Sequence, residues 1–256
     1  DLVVEDGIRT ALSNEINRLN QDLVGDGWSV SIQYAVGARH IDYDPLGITN
    51  EAKIAQVSSL ISTARQASGP NVVFLLGHLA IPYSGSYAQD GHQEHRGPWT
   101  ADGYYGFVNK SGWVRALTNV DTQFYLQNTN DHRFINDEFP SPIEMPVGRV
   151  DFANLPTFAG ATFLPQGTAT NSELLEIELT RQYLNKDHKY RINTLQSRPG
   201  TCIRDDHPGL MNIISDQMIS AVSGQLLGIQ PCAMFNGVPY YQKVPCTWGV
   251  FWSDGH

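Results

Sequence analysis

Residues 71–106 read NVVFLLGHLAIPYSGSYAQDGHQEHRGPWTADGYYG, and this stretch decides the fold class. Val72, Val73, Phe74, Leu75 and Leu76 are apolar without alternation, the pattern of a central strand covered on both faces. Gly77 ends the run, and the segment behind it is crowded with Gly, Pro, His, Asp and aromatic residues. A loop of this length and composition in a compact chain points to function rather than simple connection.

Toward the N-terminus, Ile8, Leu12, Ile16, Leu19 and Leu23 recur at helical spacing behind Asp6, which reads as an N-cap, and Gly25-Asp26-Gly27 closes that helix. Val30, Ile32, Tyr34 and Val36 alternate as a strand. A second helix is expected from about Asn50 to Ala67, with Ile54, Val57, Ile61 and Ala64 on one face, leading into the Val72 strand. Strand, helix and strand at this spacing predict a right-handed parallel crossover unit.

Toward the C-terminus, residues 106–139 are polar and loop-like. Residues 145–152 (MPVGRVDF) read as a strand interrupted by Gly148-Arg149. Thr170 and Glu173 stand in a capping-box relation, ahead of a helix carrying Leu175, Leu179 and Tyr183 to about Arg191. A helix over 212–227 and a strand over 247–252 complete an α/β series without internal repeats.

Composition bounds the function. With 256 residues, 41% of them hydrophobic, the chain has apolar surface for a core without covalent staples. Seventeen Lys and Arg against 26 Asp and Glu give a formal charge of −9 with no basic cluster, which argues against nucleic acid or an anionic membrane as partner. No apolar run approaches the roughly 18 residues that span a bilayer. Cys202, Cys232 and Cys246 permit one disulfide with a thiol left over, and their spacing matches no zinc site. The chain starts at Asp1 without a signal-peptide pattern and stops at FWSDGH, inside a strand-like run and its first loop residues, so it reads as a piece of something larger.

An ordered set of short motifs resembles the catalytic domain of the gingipain-type cysteine peptidases. It consists of the apolar strand ending in Gly77-His78, then Ala101-Asp102-Gly103-Tyr104-Tyr105-Gly106, then Pro146-Val147-Gly148-Arg149-Val150, then a helix closing on Lys186-Asp187-His188-Lys189-Tyr190-Arg191. Asp22-Leu23-Val24-Gly25-Asp26-Gly27-Trp28, Pro82-Tyr83-Ser84-Gly85 and Asp90-Gly91-His92-Gln93-Glu94-His95 are similar to phrases in a group of large, secreted, mostly uncharacterised bacterial members of that superfamily. The resemblance covers about residues 20–256. It implies a caspase-like three-layer α/β sandwich, a mainly parallel sheet with helices on both faces, built as two similar subdomains. The first is expected over residues 1–195, and the second starts at 196 and is incomplete at 256. It also implies export to the cell surface or medium, and a polypeptide substrate or an extracellular protein partner.

The superfamily's catalytic His sits in a Gly-His turn after an apolar strand, which is how Trp252-Ser253-Asp254-Gly255-His256 reads. A thiolate attacks the peptide carbonyl and the imidazole protonates the leaving amine. All three cysteines precede His256, so the family's Cys position lies beyond this chain and the fragment alone is expected to be inactive. Asp205 and Asp206 fall where the first strand of the second subdomain ends, a place from which an acid orients the catalytic His. A non-catalytic extracellular binding or structural module of the same fold, alone or as part of a surface assembly, is the alternative.

No cofactor is required by this reading. Asp90, His92 and His95 form a His-x-x-His loop with acidic neighbours that supplies ligands to zinc or another divalent ion, or else is an ordinary solvated loop. Asp121, Asn128, Asn130, Asp131 and Asp137 offer oxygen ligands to calcium, although their spacing fits no EF-hand. Asp102 is expected to brace a turn, and Arg149 to pair with a carboxylate near the sheet end. His78 either mimics the catalytic Gly-His or is buried and hydrogen-bonded. Trp99, Tyr104, Tyr105 and Trp113 either pack the loops or form a stacking platform.

Overall fold

The computed structural model describes residues 1–38, 48–68, 72–85, 99–114, 134–153, 155, 165, 171–194, 201–204, 233–236 and 249–252. Its elements run β1 (Leu2–Glu5), α1 (Asp6–Arg9), α2 (Ser13–Gly25), β2 (Ile32–Ala35), α3 (Ile48–Ser68), β3 (Val73–Leu76), β4 (Tyr83–Ser84), β5 (Trp99–Thr100), a 3-10 turn (Asp102–Gly106), β6 (Val147–Val150), α4 (Ser172–Arg191), β7 (Thr201–Arg204), β8 (Ala233–Asn236) and β9 (Gly249–Trp252). They divide into two units, Asp1–Arg191 and Ile192–His256.

In the first unit four parallel strands are ordered β2-β1-β3-β6. Side chains alternate across a strand, and both faces are covered. Val3, Val73 and Leu75 pack on Ile54, Val57 and Ile61 of α3. Leu2, Val4 and Leu76 pack on Ile8, Leu12, Ile16 and Leu19 from α1, α2 and their junction, and on Leu184 of α4. The result is a mixed α/β unit with helices on both sides of a parallel sheet.

The two inner strands are β1 and β3, and the hydrophobic periodicity does not separate β1 from the helix behind it. The chain runs from β1 to β2 on one side and returns through α3 to β3 on the other. The expected β2–α3–β3 crossover therefore straddles β1 and does not join neighbours.

The expected single helix from Asp6 is two. Leu12 leaves helical geometry (φ −117°, ψ 18°), yet Leu12 N–H bonds to Ile8 O at 3.0 Å and Ile16 N–H to Leu12 O at 2.9 Å, so the apolar stripe stays continuous. Asp6 is the first helical residue and not the cap; Glu5 occupies that position without a side-chain cap bond. The C-terminus of α2 closes as the sequence predicts. Gly27 sits at φ +92°, and the N–H groups of Trp28 and Gly27 return to the carbonyls of Leu23 and Val24, a Schellman arrangement.

Three further expectations change. β6 runs unbroken through Gly148-Arg149, because parallel pairing with β3 carries the glycine. The cap of α4 is Asn171, not Thr170: its side-chain oxygen accepts from Glu173 N–H (3.0 Å) and Leu174 N–H (3.1 Å). The polar segment after Gly106 contributes to the core, where Tyr104 stacks on Phe134 (centroids 4.6 Å apart) and Trp113 stands edge-on to both. Tyr104, Tyr105 and Trp113 thus pack the loops. The predicted helix over 212–227 lies outside the described residues.

The second unit holds three parallel strands in the order β8-β7-β9. Its last register pairs are Arg204 with Asn236 and with Trp252.

Candidate functional site

The carboxyl edge of the first sheet brings Glu5, His78, Arg149 and Asp151 together. In open parallel sheets this edge, where the chain's direction of winding reverses, is where ligands bind. Here the reversal lies between β1 and β3.

Gly77 makes the turn out of β3 at φ +90°, the left-handed region that favours glycine. A Cβ there would come within 2.7 Å of the Glu5 Cβ. The turn sets His78 N–H on Glu5 Oε2 at 2.8 Å, and the His78 carbonyl accepts from Ala38 N–H at 2.7 Å. Glu5 is only 1% exposed. This acid, at the end of β1, therefore holds the loop leaving the neighbouring strand, and its commitment there accounts for its not capping α1.

His78 is buried, and its Nδ1 lies 2.8 Å from Asp151 Oδ2. With Asp151 ionised, Nδ1 carries the proton and donates. Asp151 follows β6 directly and also accepts from Ala153 N–H at 2.9 Å. Burial works against its charge, but the His78 hydrogen bond, the Ala153 N–H and the charges of His78 and Arg149 together hold its pKa below the ordinary carboxylate value.

Arg149, on β6, completes the network. Its Nε and Nη2 grip Asp102 Oδ2 and Oδ1, Nη1 donates to Leu79 O at 2.7 Å, and Nη2 reaches Ala80 O at 3.3 Å. Burial opposes the guanidinium charge, yet the hydrogen bonds and charge of Asp102, with Tyr105 and Asp151 adding to them, raise its pKa. The expectation that Arg149 pairs with a carboxylate and Asp102 braces a turn is met by one contact. His78 takes the buried, hydrogen-bonded alternative. This edge is a scaffold: its imidazole is tied by Asp151 and its guanidinium by Asp102.

Beside it, a cleft of about 500 Å³ opens between β1, β2 and the starts of α3 and α4, lined by Glu5, Asp6, Val36, Gly37, Lys53 and Glu173. Lys53 Nζ donates to Gly37 O, fixing one wall. Neither Glu5 nor Asp151 was singled out from sequence; the one available signal is an acid closing an apolar strand, LVVE and PVGRVD.

The sequence-predicted site residues Asp90, His92, His95, Asp205, Asp206 and His256 lie outside the described residues, as do Asp121, Asn128, Asn130 and Asp131. Asp137 is described and lines a separate cavity. Among the described residues no group of three His, Cys, Asp or Glu is placed to hold a metal, and no helix is long and apolar enough to cross a membrane. No protein-family model, curated protein or solved structure matches the chain.

Proposed function

We propose that this chain forms the gingipain-like, caspase-type cysteine-peptidase module of an exported bacterial protein and serves peptide-bond hydrolysis through a His–Cys dyad. His256 supplies the imidazole, Asp205 and Asp206 orient it, and the thiol comes from sequence outside these 256 residues. The thiolate attacks the scissile carbonyl, the carbon–nitrogen bond breaks, and the imidazolium proton goes to the departing amine; water then releases the acyl group from sulfur.

The observation that supports this reading is a repeated topology. The order β2-β1-β3 of the first unit recurs as β8-β7-β9 in the second. The last register pair of central and third strand is Val4 with Leu76 in one unit and Arg204 with Trp252 in the other. One residue past that pair stands Glu5 in the first unit, there still paired with Ala35 of β2, and Asp205 in the second. A Gly-His follows the third strand in each, Gly77-His78 and Gly255-His256. In the first unit Glu5 holds the Gly-His loop and Asp151 holds the imidazole; in the second, this reading gives the Gly-His imidazole the catalytic role.

The test uses the natural protein that contains this chain, a peptidyl acyloxymethyl ketone probe read by intact mass, and a fluorogenic peptide library. Labelling and cleavage are expected, both abolished by His256→Ala and retained per folded molecule by His78→Ala. Absent labelling, or labelling indifferent to His256→Ala, refutes the reading. The closed polar edge of the first unit favours the second reading, a non-catalytic extracellular module whose Asp90, His92 and His95 hold zinc or another divalent ion. That reading predicts no labelling and a stoichiometric metal in elemental analysis.

A further inference from the structure

The sequence holds one Asn-x-Ser/Thr triplet, Asn109-Lys110-Ser111. In exported proteins this pattern marks an asparagine whose carboxamide nitrogen takes a glycan, provided that the triplet stands on a surface turn. Three residues also fall into this order by chance, so the turn that carries them has to separate the two cases.

The triplet is built outward. Lys110 turns in: its Nζ donates to Tyr104 O at 3.0 Å and to Phe107 O, and lies over the Tyr104 ring. Asn109 and Ser111, on either side of it, are both exposed. The backbone is held at both ends, with the N–H groups of Val108 and Asn109 on Glu144 Oε1 at 3.1 and 3.3 Å and Trp113 N–H on Lys110 O at 3.0 Å. Ser111 N–H donates to Asn109 Oδ1 at 3.0 Å, which makes an Asx turn. That bond fixes the carboxamide by its oxygen and sets the hydroxyl-bearing residue beside it. Asn109 Nδ2 and Ser111 Oγ make no hydrogen bond among the described residues, so the nitrogen to be linked is at the surface and uncommitted. Asn136 and Asn171, by contrast, have their side chains bonded to backbone groups and lack Ser or Thr two positions on.

The surroundings favour a covering group. Val108, at the start of the turn, is 40% exposed; Val114 and Ile135, joined by an N–H···O bond of 2.9 Å, are 49% and 44% exposed. Apolar side chains that adjoin one another at a surface invite association, and a hydrated glycan on the same turn screens them. We propose that Asn109 is an N-glycosylation site. Its Nδ2 attacks the anomeric carbon of an oligosaccharide carried on a polyprenyl diphosphate. The nitrogen–carbon bond forms, the bond from that carbon to the diphosphate oxygen breaks, the lipid diphosphate leaves with the electron pair, and the carboxamide proton goes to a base of the transferring enzyme. The inference rests on the export in the proposed function and not on its peptidase chemistry.

The test is peptide mapping by mass spectrometry of the natural, exported protein that contains this chain. The peptide with Asn109 is expected to carry an oligosaccharide mass, which electron-transfer fragmentation places on Asn109. Asn109→Gln and Ser111→Ala, both at exposed positions, are each expected to abolish it, and Ser111→Thr to retain it. Unmodified Asn109 in the exported protein, a glycan that survives Ser111→Ala, or one placed on Ser111 itself overturns the proposal. Natural protein found only inside the cell overturns export and this proposal together. Failure of probe labelling or peptide cleavage leaves the mass of this peptide unchanged, so the two readings fail separately.

Discussion

Arg149 and Asp102 meet through two side-by-side hydrogen bonds, Nε to Oδ2 at 2.7 Å and Nη2 to Oδ1 at 2.8 Å. The side chains are 12% and 29% exposed, so the pair is largely withdrawn from water. The guanidinium also stands 3.7 Å from Asp151 Oδ2. One cation thus serves two acids, and through Asp151 it reaches His78. The carboxyl edge of the first sheet is held by this chain of charges from Glu5 to Asp102.

Arg149→Met is expected to lower unfolding free energy by about 3–5 kcal/mol, because it strands Asp102 without its cation and leaves Asp151 to His78 and Ala153 alone. Arg149→Lys should recover only part of that, since an ammonium lacks the planar fork. Urea denaturation of the three proteins checks this, and a loss below about 1 kcal/mol in the Met variant would show that the pair contributes little.

Asp151 gives a pH signature. Its folded pKa is depressed, by the His78 and Ala153 hydrogen bonds and neighbouring charges working against burial. The stability it contributes is therefore fully present above the unfolded value of about 3.9 and is lost as pH falls through the lower folded value. Wild-type melting temperature should drop more steeply below about pH 4 than that of Asp151→Asn; parallel curves would refute the assignment.

Gly77 and Glu5 should be energetically coupled. Gly77→Ala places a Cβ 2.7 Å from Glu5 Cβ at a φ of +90°, which is expected to cost about 1–3 kcal/mol. Glu5→Gly removes that Cβ together with the carboxylate behind it, so the double variant should be more stable than the sum of the two single losses predicts. Strict additivity in the double-mutant cycle would deny the contact.

Lys110 acts at the opposite end of the pH scale. Its ammonium donates to the carbonyls of Tyr104 and Phe107 and lies 4.5 Å from the Tyr104 ring centroid. Burial lowers its pKa to about 8, with Glu144 pulling the other way. Between about 8 and the unfolded value near 10.4 the unfolded chain binds the extra proton, so this group makes stability rise with pH across that window. Reductive ¹³C-methylation followed by NMR titration reads the pKa directly, and a midpoint above about 10 would contradict it.

What the sequence determined by itself is whatever neighbours along the chain enforce. The unbroken run Val73–Leu76 is a buried strand because neither face has a polar residue to offer water. The apolar stripe of α3 and the Schellman closure at Gly27 follow from contacts within one or two turns. Tertiary structure decided the rest. Leu2–Glu5 is too short to show a period, and its place at the centre of the sheet exists only once β2 and β3 pair on either side. Glu5 and Asp151 each bond His78 across 73 positions, and Arg149 finds Asp102 across 47. The sequence could say that Arg149 needed a carboxylate, since a buried cation is tolerable only beside a counter-charge. Which acid it meets depends on strand order, and strand order is set by packing between residues far apart in the chain.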